Sequence, residues 1–356
     1  MFERQWFSKG AQEGQTAQSI KCESLLREKQ YSQCKDIISC YYTENEVYWG
    51  RIYSRLRHLE KRRAIGNIEI IYYSMLDFWP GIDPANCQIV DLFRYANKRK
   101  QWRYTENPEQ ADVVFSSCYG GKRIRSFTTT QQALHILYLG ENIRPRYDVY
   151  DYSLSFDQFE YHGRNIYWPL WIFELNLFSC AQYADRKTYE INSITLPKVI
   201  DVSHRRNRIL YIGNNNEPLR MAVINSLVEA GFKIDCYGSH TRPVGDKIEM
   251  ASKYKVLLSP ENSFYPGYCT EKIVHGYLGG CTSIIWGGID PLLNCDNKDY
   301  FIEIGQDQQF HFMHSKIRDA LLKDEIHFEH LVKKEDLDSR FNQCVQALRT
   351  ILSQFD

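Results

Sequence analysis

The spacing of apolar positions changes along the chain and separates a helical region from a mixed one. From Ile20 to Ile38, and again from about residue 46 to 63, apolar side chains recur at helical spacing, which predicts a helical hairpin. From residue 68 onward, short apolar runs alternate with polar loops and helical stretches, as is typical of an α/β sheet. We predict strands at 68–73, 90–95, 111–117, 134–139, 208–213, 234–238, 256–258, 283–286 and 300–304.

The helical stretches between these strands suggest how the chain is divided. We predict a helix with a polar linker over 174–200, which Pro197 closes, and further helices at 217–229, 273–278, 313–322 and 339–352. Since the linker separates two groups of strands, we predict two α/β domains. The predicted parts are a helical N-terminal extension (1–63), a first α/β domain (64–195), a second α/β domain (196–340) and a C-terminal helix (341–356).

The charge balance argues against a nucleic-acid partner. Lys and Arg together number 44, as do Asp and Glu, and no basic run is interleaved with aromatic residues. Aromatic residues make up 14% of the chain, which would suit sugar stacking, although cores and interfaces account for most such counts.

Cysteine usage and apolar run length predict where the protein works. Eleven cysteines are scattered without a paired framework, which suggests a reducing compartment. We find no signal peptide and no apolar run of about 18 residues, so we expect a cytoplasmic protein. The basic run at residues 55–63 leaves peripheral contact with the inner membrane open, although a solvated helix end is the commoner explanation. The oligomeric state is not predicted.

One loop, residues 259–272, carries the clearest chemistry. It follows the strand 256–258 and precedes the helix 273–278; Pro266-Gly267 predicts a tight turn and Thr270 an N-cap. Amides at a helix start favour anions, and Lys272 adds a full positive charge. The sequence therefore predicts a diphosphate site with the carboxylate of Glu271 beside it. On spacing alone, a surface loop with an ordinary capped helix is the alternative.

Two further charged residues occupy unusual positions. Glu141 comes directly after a buried strand and Gly140, where a partly buried carboxylate would suit a general base; a hydrogen-bonding or capping role is the alternative. Arg220 falls in the first turn of the helix 217–229. An arginine is poorly placed there unless an anion compensates, although it could also be a surface residue.

The loop closely resembles the signature of the family 10 glycosyltransferases, the α-1,3/4-fucosyltransferases. That signature has Glu-Asn-Ser, a Tyr and then Thr-Glu-Lys, and a helix and Gly-Gly follow it. The resemblance covers about residues 70–340. Here the signature is Glu261-Asn262-Ser263, Tyr268, Thr270-Glu271-Lys272 and Gly279-Gly280, and the first domain adds Gly140-Glu141-Asn142, Asp151-Tyr152, Phe156-Asp157 and Trp168-Pro169-Leu170.

The resemblance implies a GT-B fold with two Rossmann-like domains facing a cleft. It also implies transfer of L-fucose from GDP-fucose to a hydroxyl of an oligosaccharide acceptor, with inversion. An α-1,3 linkage to a GlcNAc- or Glc-containing acceptor is expected. Members in the Golgi carry an N-terminal membrane anchor, so the resemblance is to the soluble bacterial or viral type.

Residue roles follow from the same resemblance. Glu141 is expected to be the base, Arg220 and Lys272 to neutralise the leaving GDP, and Glu271 to support the donor through ribose hydroxyls or an oxocarbenium-like fucose. Gly213-Asn214 replaces the family's Ser-Asn ahead of Arg220, a departure that could affect the donor loop. The remaining donor-binding candidates are Asn214, Glu261, Asn262, Ser263 and Tyr268.

Two cations can do what a metal does in other nucleotide-sugar enzymes. We therefore expect no metal site and no essential cofactor, while added divalent ions could still stimulate. Two other functions stay open: a related transferase that uses another nucleotide sugar, and a noncatalytic glycan- or nucleotide-binding module. The presence of Glu141, Arg220 and Lys272 argues against the second.

Overall fold

The chain forms two compact units, each with its own parallel sheet. The first contains the described residues up to Trp168, with Gln182–Arg186 and Arg340–Asp356; the second contains Pro169–Ala181 and Lys187–Ser339. The computed structural model describes residues 17–41, 46–66, 68–119, 132–147, 149–213, 217–238, 242–294, 300–304 and 311–356.

Three helices stand where the sequence predicted a hairpin of two. They are α1 (Ala17–Arg27), α2 (Tyr31–Tyr41) and α3 (Glu46–Ala64). The first predicted helix is interrupted at Lys29, which has a left-handed φ of 64°. Gln30 N donates to Leu25 O and Lys29 N to Leu26 O, the Schellman pattern that ends a helix. This break was not predicted, because lysine stands where glycine is usual.

A buried ion cluster joins α1 and α3 to the first sheet. Nη2 of Arg55 lies 2.6 Å from Oε1 of Glu23 on α1, and its Nη1 lies 2.8 Å from Oδ2 of Asp151. Arg51 contacts the other oxygen of Asp151 at 3.0 Å, and all four side chains are at most 5% exposed. Burial alone would raise the pKa of Asp151, but the two guanidiniums outweigh burial and hold the pKa well below its usual range.

Removing the shared carboxylate should destabilise the first unit strongly. We expect Asp151→Ala to lower the free energy of unfolding by about 3–5 kcal/mol, because buried Arg51 would lose the carboxylate it pairs with and buried Arg55 would keep only Glu23. Urea denaturation followed by circular dichroism measures the change. The control is Arg57→Ala, which breaks a pair with Glu60 on the exposed side of α3 and should cost less than about 1 kcal/mol. Similar losses in both variants would contradict a structural role for the cluster.

The first sheet has six parallel strands in the order β2-β1-β3-β4-β5-β6. Because β1, β3 and β4 are parallel neighbours, the residues that follow these three strands lie together at one edge of the sheet, the one formed by the carboxyl ends of the strands. This is the edge where α/β proteins bind ligands. The strands are β1 (Ile70–Leu76), β2 (Gln101–Tyr104), β3 (Val113–Ser117), β4 (Leu134–Tyr138), β5 (Tyr152–Ser155) and β6 (Asn165–Tyr167).

The prediction of a strand at 90–95 is wrong, since Gln88–Ala96 form helix α4. The run is rich in apolar and aromatic residues, which favoured a strand in the prediction. Its buried apolar side chains instead follow helical spacing and face the core. They are Ile89, Val90, Leu92, Phe93 and Ala96. Strand β2 was not predicted, because it is a short edge strand whose side chains are mostly exposed and therefore show no apolar pattern.

The second sheet has five parallel strands in the order β12-β11-β10-β8-β9, and each of these strands confirms a predicted one. Beside it, two antiparallel strands that were not predicted pair as β13-β7. The elements are α5 (Asn192–Thr195), β7 (Lys198–Asp201), β8 (Arg206–Ile212), α6 (Pro218–Glu229), β9 (Ile234–Tyr237), α7 (Lys247–Ala251), β10 (Tyr254–Pro260), α8 (Glu271–Gly279), β11 (Thr282–Trp286), β12 (Phe301–Glu303), α9 (His311–Leu322), β13 (Glu325–Phe328) and α10 (Lys334–Leu352).

Alternate residues of the central strands pack on opposite faces of this sheet, so both faces are buried. One face carries Ile209, Val256 and Leu258 against α6 and α9. The other face carries Leu210 and Leu257 against Ala251 and Cys281. The predicted helix over 174–200 is mostly irregular chain: this fully described stretch contains the single helical turn α5, and β7 begins at its end. No helix in the described residues is long and apolar enough to cross a bilayer.

Candidate active site

The loop between β10 and α8 is anchored where it leaves β10. The amide of Glu261 donates to the carbonyl of Trp286 at the end of β11 (2.7 Å), which fixes the loop against the neighbouring strand. After β11 the chain passes Gly287, whose φ of 141° favours glycine and where a Cβ would come within 3 Å of the Glu261 side chain. A side chain at this position would therefore displace Glu261.

Glu261 is the centre of the loop's polar network. It is 5% exposed, and its Oε1 accepts hydrogen bonds from the amide (2.9 Å) and the hydroxyl (2.7 Å) of Thr270. Thr270 occupies the predicted N-cap position of α8, but its side chain makes no capping bond to that helix. The carboxylate of Glu261 thus faces into the protein and positions the residues at the start of α8.

Lys272 lies in the first turn of α8 and is held by the same carboxylate. Its Nζ donates to Oε2 of Glu261 at 2.8 Å and to the hydroxyl of Thr270 at 2.7 Å. Burial disfavours the ammonium, but Glu261 and then Glu271 outweigh burial and raise the pKa of Lys272 above its usual value. The ammonium is therefore present at every working pH.

Arg220 contacts the same loop from helix α6, which follows the neighbouring strand β8. It lies in the first turn of α6, is 5% exposed, and donates through Nη2 to Oδ1 of Asn262. Its Nε is buried and has no hydrogen-bond partner within the described part of the chain. A buried donor of this kind has unused capacity for an anionic ligand.

Glu271 lies beside these cations. Its Oε1 is 3.7 Å from Nζ of Lys272 and 3.8 Å from Nζ of Lys247 on α7. Burial would raise the pKa of Glu271, but Lys272, His275 and Lys247 outweigh burial and lower the pKa well below its usual range. The carboxylate is therefore ionised at neutral pH.

A shallow pocket opens among these residues in the second unit. Three basic side chains and an imidazole surround one carboxylate there, a charge pattern that suits a diphosphate carrying a polar group. The pocket is lined by Tyr211, Ile212, Arg220, Lys247, Leu257, Leu258, Ser259, Pro260, Glu271, Lys272 and His275.

Sequence reasoning missed three residues at this pocket. Lys247 and His275 line it, and Nε2 of His275 lies 3.0 Å from Oε2 of Glu174, which fixes the imidazole. His275 stands four residues after Glu271, so both side chains share one face of α8, and this spacing could have signalled it. Nothing in the sequence connects Glu174 with α8, because 101 residues separate it from His275.

The other predicted donor-binding residues have different surroundings. Asn262 and Ser263 are half-buried in the loop, whereas Tyr268 is 1% exposed, so its side chain belongs to the interior in this conformation. Glu261 likewise faces inward, towards Thr270 and Lys272. Asn214 lies outside the described residues.

Glu141 lies in the first unit, three residues after β4 ends. It is half-buried, and its carbonyl accepts from the amide of Ile143 (2.7 Å). The hydroxyl of Tyr119, which follows β3, donates to the carbonyl of Gly140 at 3.1 Å. Burial raises the pKa of the nearby Cys118 thiol, and the carboxylate of Glu141 adds to this rise. Glu141 therefore stands at the edge of the sheet where β1, β3 and β4 end.

The described residues contain no group of three His, Cys, Asp or Glu side chains that could hold a metal ion. Asp336 and Asp338 have the Asp-x-Asp spacing that holds a metal in other nucleotide-sugar enzymes. They lie in the first turns of α10, however, where Asp338 accepts from Lys334 at 2.7 Å.

Two family models match the chain and together cover more than half of it. The alpha-(1,3)-fucosyltransferase FucT N-terminal domain matches residues 73–174, and the C-terminal part of glycosyltransferase family 10 (fucosyltransferase) matches residues 202–331. An alpha-(1,3)-fucosyltransferase FucT of Helicobacter pylori is 26% identical over 215 residues, which are 52% of this chain and 44% of that protein. The chain thus spans less than half the length of this relative.

Comparison with solved structures identifies the type of fold. A crystal structure of an alpha1,3-fucosyltransferase gives a TM-score of 0.54 at 18% identity, covering 80% of this chain and 92% of that one. A second, an alpha1,3-fucosyltransferase with GDP, gives 0.51 at 19% identity, covering 81% and 95%. The fold is accordingly an α/β fold of the GT-B type, with two parallel sheets and N-terminal helices. With both family models matched, the chain belongs to glycosyltransferase family 10, and it is similar to a bacterial FucT.

Proposed function

We propose that the protein is an inverting fucosyltransferase that moves L-fucose from GDP-fucose to a glycan hydroxyl. The observation that carries the proposal is the pair Arg220 and Lys272, two buried or half-buried cations fixed at one loop of a family 10 chain. The names of the relatives contain the α-1,3 linkage, and we extend that linkage to this chain, with a GlcNAc- or Glc-containing acceptor.

The reaction needs one base and a stabilised leaving group. The acceptor oxygen attacks the anomeric carbon of fucose from the side opposite GDP, and the bond between that carbon and the phosphate oxygen breaks. GDP leaves with the electron pair, and the acceptor proton passes to Glu141. One carboxylate is enough, because a single displacement inverts the anomeric carbon.

Arg220 and Lys272 stabilise the negative charge that develops on GDP. Their positions are set before the donor binds, by Asn262 for the guanidinium and by Glu261 with Thr270 for the ammonium. Fixed charges of this kind cost little reorganisation during the reaction, which makes them effective in catalysis. Glu271, ionised beside Lys272, is suited to ribose hydroxyls or to the cationic character of the fucose ring.

A donor panel tests the proposal. GDP-fucose should raise the melting temperature by mass action and turn over with N-acetyllactosamine or a lacto-type acceptor, whereas GDP-mannose and UDP sugars should not turn over. Turnover with a different donor would identify a transferase for another sugar. Binding of GDP without any turnover would identify a noncatalytic module. If calorimetry showed no GDP binding, the proposal of fucose transfer from GDP-fucose would be contradicted.

A further inference from the structure

Four aromatic rings form a cluster at the edge of the first sheet that carries Glu141. Phe78 and Trp79 follow β1, Tyr119 follows β3, and Tyr138 ends β4. Trp79 packs edge-on against Tyr119, with ring centroids 5.3 Å apart, and against Tyr138 at 6.0 Å. Phe78 stacks on Tyr138 at 6.2 Å. Since β1, β3 and β4 are adjacent, the cluster and Glu141 occupy the same edge.

Trp79 is held firmly within this cluster. Its indole nitrogen donates to Oδ2 of Asp185 at 3.0 Å, and Nε of Arg186 donates to the same oxygen at 2.7 Å. The guanidinium of Arg186 lies 5.1 Å from the centroid of the Trp79 ring. Trp79 is therefore held in place by Asp185 and Arg186, and it supports the neighbouring ring of Tyr119.

Tyr119 combines an exposed ring with an anchored hydroxyl. It is 40% exposed, whereas Tyr138 is 4% exposed. Its hydroxyl donates to the carbonyl of Gly140, the residue directly before Glu141. A Cβ at Gly140 would lie 2.5 Å from that hydroxyl oxygen, so the absence of a side chain there allows the close approach. Tyr119 is thus tied to the backbone that positions the proposed base.

We propose that Tyr119, supported by Trp79, is the stacking surface for a pyranose ring of the acceptor and so sets the distance between the acceptor hydroxyl and Glu141. This inference rests on the proposed function. A fixed aromatic ring buries apolar surface at little entropic cost and leaves the rim of its partner accessible. The partner must present an apolar face and carry hydroxyls around its rim, because one hydroxyl has to reach Glu141. A neutral pyranose with axial C–H bonds on one face meets both conditions.

The experiment compares Tyr119→Ala and Tyr119→Phe in the full chain. We expect Tyr119→Ala to raise the KM for N-acetyllactosamine about tenfold more than it raises the KM for GDP-fucose. Tyr119→Phe keeps the ring and should recover most of the acceptor KM. The matched control is Tyr53→Ala, since Tyr53 is 43% exposed on α3 and should leave both constants unchanged. A thermal melt of each variant confirms folding, and Tyr119→Leu replaces the alanine variant if that one does not fold.

A binding measurement separates this inference from the proposed function. Saturation-transfer NMR with N-acetyllactosamine needs no turnover, and we expect the signal from its C–H face to be lost in Tyr119→Ala and kept in Tyr119→Phe. This result would support the stacking surface even if the wild type transferred no fucose. An unchanged acceptor KM and an unchanged NMR signal in Tyr119→Ala would overturn it. An equal rise in both KM values would likewise rule out an acceptor-specific surface.

Discussion

Replacing Glu141 by glutamine is expected to lower turnover with GDP-fucose and acceptor by roughly 10²–10⁴-fold, the usual contribution of a positioned base. Glutamine keeps the size of the side chain and removes its ability to accept a proton. Fold and GDP affinity should therefore be retained, as thermal melts and calorimetry would report. The pH profile of the wild-type rate should have an acidic limb, and Glu141→Gln should lose it.

Glu271→Gln is the matched control for this prediction, because Glu271 is the other carboxylate proposed to take part in catalysis. Lys272, His275 and Lys247 hold the pKa of Glu271 far below its usual range, so its protonation falls below the pH range of an ordinary glutamate. The glutamine variant at 271 should weaken donor use and keep the acidic limb. If the limb were instead lost in Glu271→Gln and kept in Glu141→Gln, the two roles would have to be exchanged.

The second large effect is expected at the two cations. Arg220→Ala and Lys272→Ala should each remove roughly 2–4 kcal/mol of transition-state stabilisation, measured as kcat/KM for GDP-fucose. Part of the loss should appear as weaker GDP binding. Lys272→Arg should not fully recover the activity, because a planar guanidinium and a compact ammonium are not interchangeable between Glu261 and Thr270.

Lys253→Ala provides the control for these variants, since Lys253 pairs with Glu249 on the exposed side of the same unit. It should leave the kinetics unchanged. The raised pKa of Lys272 also predicts how donor affinity depends on pH, because the ammonium is lost only above the usual lysine pKa. No alkaline loss of donor affinity from this residue is therefore expected between pH 7 and 10. Near-normal kinetics in both alanine variants would remove these residues from the site.

The sequence predicted those residues of the candidate site that directly follow strands of the second sheet. Arg220 follows β8 and Lys272 follows β10, which are neighbours in a parallel sheet, so their side chains meet at one edge. The spacing of the loop could not show that the carboxylate of Glu261 turns inward, because this depends on Thr270 and on the space left by Gly287. His275 was missed because its partner Glu174 is distant in sequence.

The fold predictions failed for segments whose short apolar pattern does not show how they pack in the folded protein. The run at 90–95 is short and rich in apolar residues, and the helical spacing becomes clear only over the longer window from Ile89 to Ala96. Strands β7 and β13 pair across more than 100 residues and each is only half-covered, so neither carries a continuous apolar run. Long apolar strands such as β10 and β11, which are buried along their full length, were predicted correctly.

The ion cluster of Glu23, Arg55 and Asp151 also limits the order in which the chain can fold during synthesis. The helices α1 and α3 are made first, but the carboxylate that neutralises Arg51 and Arg55 appears only when β5 is reached. Later still, Phe341 on α10 packs against Tyr95 in the first unit. The first unit is therefore completed only after the whole second unit has been synthesised. Until then, the apolar surface around Tyr95 that receives α10 would stay uncovered.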